Sequence, residues 1–180
     1  MEKGGVPTAV SYTHLLNGTL RFATEADIPL LLSFIRQLAV YEKMEDQVVA
    51  DAQTLRVHMF ERRRAEALLA LDETGQPVGF ALFCHHFSTF LGRAGLYLED
   101  LFVLPAYRGR GYGKALLQAL ARIAVQRECG RLEWACLDWN APSIAFYRAM
   151  GAQGLADWTT YRLAGERLVQ MAAGAPAIQR

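Results

Sequence analysis

The chain has 180 residues, of which 52% are hydrophobic and 21% charged, with a formal net charge of +1. That length and apolar content suffice for one soluble domain with a sizeable core, and no second domain is needed. The near-neutral balance excludes a global field of the kind that draws nucleic acid or an anionic membrane, so any phosphate-binding site must be local.

No apolar run approaches the roughly 20 residues that a membrane-spanning helix requires, and the first residues lack the basic-then-apolar pattern of a secretory leader. Cys84, Cys129 and Cys136 are too few and too irregularly spaced for a disulfide framework or a Cys-x-x-Cys zinc site. The expectation is a reduced, cytoplasmic protein with no metal and no nucleic-acid or membrane partner. Residues 1–17 contain Gly4, Gly5 and Pro7 and hold no sustained period. They read as an N-terminal extension, disorder being one reading of it, and residues 18–180 read as a single domain.

A short strand is expected over Thr19–Phe22. Thr24 with Asp27 three residues on resembles a capping box, and Pro29 falls early enough to be tolerated in the first turn. Leu31, Phe34, Ile35 and Leu38 then recur at helical spacing, a core-facing stripe that should end near Tyr41. A second helix is expected over Ala52–Arg63, with Arg62-Arg63-Arg64 read as a solvated face. Ala67–Leu71 and Val78–Cys84 flank Asp72-Glu73-Thr74-Gly75-Gln76-Pro77 and read as a hairpin.

Leu96–Val103 is a further strand, and Gly113–Arg127 a helix with Leu116, Leu117, Leu120, Ile123 and Ala124 on one face. Gly130 follows as a stop. Leu132–Leu137 reads as a strand and Ala141–Met150 as a helix closed by Gly151. Trp158–Leu163 and Arg167–Met171 are expected to form a last hairpin around Gly165.

The most informative string runs from Leu101-Phe102-Val103 through Leu104-Pro105-Ala106-Tyr107 to Arg108-Gly109-Arg110-Gly111-Tyr112-Gly113-Lys114. A hydrophobic strand passes through a glycine-rich turn directly into a helix. Glycines let consecutive N–H groups converge on one point, and the new helix adds the positive end of its dipole, a geometry that binds pyrophosphate. Arg108, Arg110 and Lys114 add local positive charge. The spacing is neither the dinucleotide fingerprint nor the P-loop. By itself it fits equally a helix entry whose glycines serve tight packing.

Arg108, Gly111 and Gly113 match the Arg/Gln-x-x-Gly-x-Gly/Ala cofactor motif of the GNAT superfamily of acetyltransferases. Trp139-Asn140-Ala141-Pro142-Ser143-Ile144-Ala145-Phe146-Tyr147, followed by Met150-Gly151-Ala152, resembles that superfamily's second landmark. Tyr41-Glu42-Lys43-Met44-Glu45-Asp46-Gln47-Val48 and Tyr97-Leu98-Glu99-Asp100 narrow the resemblance to the diamine (spermidine/spermine) N-acetyltransferase family, over roughly Leu20 to the C-terminus.

The resemblance implies an α/β (α+β) fold with a mixed, mostly antiparallel central sheet flanked by helices and splayed between two parallel strands. Acetyl-coenzyme A would lie in the gap. The strand Leu101, Phe102 and Val103 would bind the acetyl-pantetheine arm by its backbone, Arg108, Gly109, Arg110, Gly111, Tyr112, Gly113 and Lys114 would wrap the pyrophosphate, and Asn140 and Ser143 would support the cofactor. Tyr147 would be the proton donor, and Tyr41, Glu42, Glu99 and Asp100 would line the amine site. The family pattern also implies a homodimer in which the segment Tyr41–Gln47 and the C-terminal hairpin share in an acceptor cleft.

An alkylamine with a pKa near 10.4 arrives protonated and must lose a proton before it attacks a thioester. Glu99 suits that task, directly or through water; neighbours in a strand point to opposite faces, so only one of Glu99 and Asp100 faces the amine cleft, and the resemblance implies that it is Glu99. A phenol with an ordinary pKa of about 10 is protonated at neutral pH, so Tyr147 suits donation to the departing thiolate. Tyr147 also reads as a half-buried aromatic of an amphipathic helix, and Glu42 equally as a solvated helix-end carboxylate. His85 and His86 are strand neighbours without further ligands at metal spacing, and Cys84 and Cys136 read as core thiols in apolar strands.

Thr159 stands where the polyamine enzymes tend to carry a carboxylate and Tyr161 where they tend to carry Trp, which moves the expected acceptor toward a small diamine, a lysine analogue such as thialysine, or another amino compound. Acetylation of a protein or peptide amine and a non-catalytic coenzyme A-binding module remain open readings.

Overall fold

A computed structural model describes residues 18–179, so the expectation for residues 1–17 lies outside the described residues. The chain divides into two units, residues 1–137 and 138–180.

In the first unit, strand β1 (Gly18–Phe22) leads into helix α1 (Ile28–Glu42). The Thr24 N–H donates to Asp27 Oδ2 at 2.7 Å, the reciprocal bond a capping box requires. Arg21 clamps the same carboxylate in a bidentate pair at 2.7 Å, holding Asp27 well below the usual carboxylate range. Helix α1 ends at Lys43, left-handed at φ 59, as a C-terminal turn demands. Helix α2 (Ala52–Leu55) is capped by Asp51 and widens into a π-helical turn over Arg56–Glu61.

Strands β2 (Glu66–Asp72), β3 (Pro77–Ser88), β4 (Arg93–Val103) and β5 (Leu132–Trp134) join β1 in one sheet of order β1-β2-β3-β4-β5. Every pair is antiparallel except β4 with β5. Helix α3 (Tyr112–Gln126) crosses between these parallel strands. Pairing of β4 with β5 spans only Leu96–Leu98 against Leu132–Trp134, while β4 runs on to Val103, so the two strands part where β4 approaches the glycine-rich turn. The strand expected over Leu132–Leu137 therefore stops at Trp134, and Cys136 is half-buried outside any strand.

Alternation divides the sheet into two apolar faces. Leu31, Phe34 and Leu38 of α1 pack with Leu69, Phe80 and Phe102, and the Phe34 and Phe80 rings stack at 5.7 Å. On the opposite face, α3 buries Leu116, Leu117 and Leu120 against β2, β3 and β4. Glu66 and Arg127 form a bidentate pair that ties β2 to the end of α3.

The second unit holds helix α4 (Ala141–Ala149) and helix α5 (Gly165–Ala173). The last hairpin expected around Gly165 is not formed. Trp158–Leu163 carries no strand, and Arg167–Met171 lies inside α5. Glu166, Arg167, Leu168, Gln170, Met171, Ala172 and Ala173 are all strong helix formers, and this local preference prevails over the strand reading.

Candidate active site

The glycine-rich turn has the conformation that an anion site needs. Gly109 and Gly111 take φ values of 74° and 91°, where an L side chain would be strained, and Gly111 is the N-cap of α3. The first N–H groups of a helix have no acceptor within it, and here they belong to Tyr112, Gly113 and Lys114. No acidic residue occupies the first turn of α3. A pyrophosphate thus fits the donors, the dipole and the exposed cations Arg110 and Lys114.

Several residues of this loop are anchored by the fold itself. Tyr107 donates to Asp72 Oδ2 at 3.2 Å, Arg110 lies 5.0 Å from the Tyr107 ring centroid, and the buried Tyr112 ring meets Tyr107 edge-on at 6.1 Å. Tyr112 is therefore a packing residue whose N–H alone faces the turn. Arg108 is likewise engaged: its Nε donates to the Val103 carbonyl at 3.0 Å and its guanidinium lies over Tyr41 and Phe102. Phe102 belongs to the α1-side core and its backbone pairs with Phe80 on β3, so the backbones of Leu101 and Val103 are the ones that face away from β3.

Upstream, β4 carries a bulge. Leu82 pairs with Asp100 and Phe83 with Leu98, so Glu99 is an extra residue without a partner on β3. The simple alternation expected for Glu99 and Asp100 does not hold. Asp100 is half-buried and its pKa is pushed up to about 6, first by desolvation and then by the negative charges of Glu99 and Glu42. Burial also raises Glu42. The charge of Glu99 acts further on Cys84 and Tyr97, both already raised by burial. Glu42, Glu99 and Asp100, three of the expected amine-site residues, thus form one acidic group, and Tyr41 joins it to the phosphate loop through Arg108. Sequence spacing gave no signal for this bulge, because β4 reads as an ordinary apolar strand on either side of it.

In the second unit, Asn140 is buried and its Oδ1 accepts the Ser143 N–H at 3.3 Å, capping α4. Tyr147 is half-buried in that helix, with its ring centroid 5.2 Å from that of Phe146. Among the described residues no group of three or more His, Cys, Asp or Glu side chains is arranged to hold a metal, and no helix is long and apolar enough to cross a membrane.

Residues 35–152 match the family model described as the acetyltransferase (GNAT) family. A thialysine N-epsilon-acetyltransferase of Bos taurus is 38% identical over 164 residues, covering 85% of this chain and 96% of that protein. An L-ornithine N5-acetyltransferase of Arabidopsis thaliana is 30% identical over 212 residues, covering 93% of each. Among solved structures, an integron cassette protein of V. cholerae superposes with a TM-score of 0.72 at 26% identity, covering 87% of this chain and 98% of that one.

Proposed function

The chain belongs to the acetyltransferase (GNAT) family, and on that premise we propose that it moves an acetyl group from acetyl-coenzyme A directly to a primary amine of a small molecule: a diamine, a polyamine or a lysine analogue such as thialysine. The observation that carries this reading is the junction of an anion-ready helix start at Gly111 with an acidic group on the bulged strand just before it.

Bound acetyl-coenzyme A supplies an acetyl thioester. The N–H groups of Tyr112, Gly113 and Lys114 hold the pyrophosphate, with Arg110 and Lys114 neutralising charge and Gly109 and Gly111 allowing close approach. The backbone of Leu101 and Val103, on either side of the core residue Phe102, pairs with the pantetheine arm where β4 has left β5, and an N–H near Leu101 polarises the carbonyl. Arg108 positions the loop by its bond to Val103. Ser143 and the Asn140 cap support the cofactor from α4 by analogy with the family motif.

Glu99 removes the proton from the incoming ammonium, directly or through water, and the neighbouring negative charge of Glu42 attracts the cationic acceptor. Tyr147 donates its phenolic proton to the departing sulfur, a role resting on its place in the sequence motif. In this reading the enzyme is cytoplasmic and works without a metal. It is a homodimer in which Tyr41–Gln47 and the C-terminal segment contribute to the acceptor cleft. Sedimentation at micromolar concentration should give twice the 20.0 kDa chain mass, and a monomer would overturn the shared cleft. Thiol release from acetyl-coenzyme A, followed with a panel of diamines, polyamines, lysine analogues and peptides, tests the reaction. Turnover with peptides alone would overturn the small-amine acceptor.

A further inference from the structure

Helix α3 covers one face of β4, and Tyr97 stands on the other. Phe83 turns toward α3, where the Arg127 guanidinium lies 5.9 Å from its ring centroid. Leu98 pairs with Phe83 and shares that face, so Tyr97, one residue earlier, turns to the opposite side beside its partners Cys84 on β3 and Glu133 on β5. Tyr97 is thus the middle residue of Leu96–Leu98, the short stretch over which β4 and β5 are joined.

From that place the ring is held leaning toward the point where the strands part. Behind it along β4, Gly95 leaves room for the His86 ring, since a Cβ there would come within 2.2 Å of His86 Nε2. The imidazole meets Tyr97 edge-on at 6.1 Å. Its Nε2 lies 3.1 Å from Glu133 Oε2, without the alignment of a hydrogen bond, and Arg131 Nε lies 2.7 Å from the same oxygen. In front of the ring, the N–H of Ala135, the first residue past β5, donates to the phenolic oxygen. The Leu96 N–H donates to the Arg131 carbonyl at 2.9 Å, and by alternation along a parallel ladder Glu133 and Ala135 turn their N–H groups toward β4. The phenol that takes the Ala135 N–H therefore stands on the β4 side of Ala135, where the pairing of the two strands ends.

Resting on the acetyl-coenzyme A reading above, we propose that the Tyr97 phenol is the stop of the acyl pocket: it closes the inner end of the gap between β4 and β5, admits an acetyl group and rejects longer acyl chains. The register of Leu98 with Trp134 continues by one residue to set Ala135 level with Glu99. Leu101, near which the thioester carbonyl is held, lies two residues further on, at most about 6.6 Å away at roughly 3.3 Å per residue. The acetyl methyl takes up one bond of about 1.5 Å, and van der Waals contact needs about 3.5–4.0 Å beyond it. The space left is about one further bond, so a propionyl chain reaches the phenol and a butyryl chain overlaps it. Tyr97 is then a specificity-determining residue for the acyl donor, and His86 is the positioning residue behind it.

Titration calorimetry of the whole protein with acetyl-, propionyl- and butyryl-coenzyme A reads this stop without an acceptor amine. The parent should bind butyryl-coenzyme A at least about tenfold more weakly than acetyl-coenzyme A, equivalent to about 1.4 kcal/mol. Tyr97→Leu and Tyr97→Ala shorten the side chain and should abolish that preference, while Tyr97→Phe keeps the ring and should retain most of it. An unchanged ratio of the two dissociation constants in a folded Tyr97→Leu or Tyr97→Ala variant, or a parent that binds both donors equally, overturns the stop while leaving acetyl transfer intact. Failure of the parent to bind acetyl-coenzyme A overturns the underlying reading instead.

Discussion

The guanidinium carbon of Arg108 sits 4.7 Å from the centroid of the Tyr41 ring, tying the phosphate loop to the last turn of α1. A stacked cation of this kind contributes about 0.5–1 kcal/mol at an exposed position. Arg108→Ala and Tyr41→Leu should each destabilise the protein, and the double variant should fall short of their sum by about that amount. Urea denaturation of the four proteins measures the coupling, and strict additivity would show the contact to be energetically silent.

Gly111 combines a φ of 91° with the N-cap of α3, so a β-branched residue there meets backbone strain and obstructs the approach of phosphate. Gly111→Val should raise the Kd for acetyl-coenzyme A more than about tenfold, a loss above ~1.4 kcal/mol. Calorimetric titration of the folded variant decides it, and undiminished affinity would remove the loop from the cofactor site.

Asp100 has a pKa of about 6 against an ordinary 3.8, so between those values the folded chain holds a proton that the unfolded chain has lost. Folded-state protonation then contributes stability fully below about pH 4, and that contribution disappears as pH rises through 6. Asp100→Asn lacks this loss. Its stability relative to the parent should rise across that window by up to about 3 kcal/mol. Chemical denaturation at pH 4 and pH 7.5 measures the difference, and a pH-independent offset would mean that Asp100 is solvated like any surface carboxylate.

Tyr147→Phe keeps the ring packed beside Phe146 and deletes only the donor. Cofactor affinity and folding should persist while kcat falls by about 10²-fold, the lower end for general acid catalysis because a thiolate leaves readily. Glu99→Gln should lower kcat/KM by about 10²–10⁴-fold. Steady-state kinetics across pH separates the two roles, and a Tyr147→Phe enzyme with the parent kcat would leave protonation of the sulfur to solvent.

Local sequence determined the helix start at Thr24 and Asp27, the apolar stripe of α1, and the glycine-rich entry to α3, because capping, periodicity and positive-φ glycines act within a few residues. At the C-terminus the hairpin expected around Gly165 gave way to α5, which the helix-forming composition of Glu166–Ala173 produced. The bulge at Glu99 was decided by pairing: it exists only as a mismatch between Leu82–Phe83 and Leu98–Asp100, residues far apart in the chain. So was the Arg131–Glu133–His86 cluster, since His86 reaches Glu133 only after β3, β4 and β5 align. A motif records which chemistry a loop supports, whereas strand register decides which distant charges share a surface and hence which acceptor the chemistry meets.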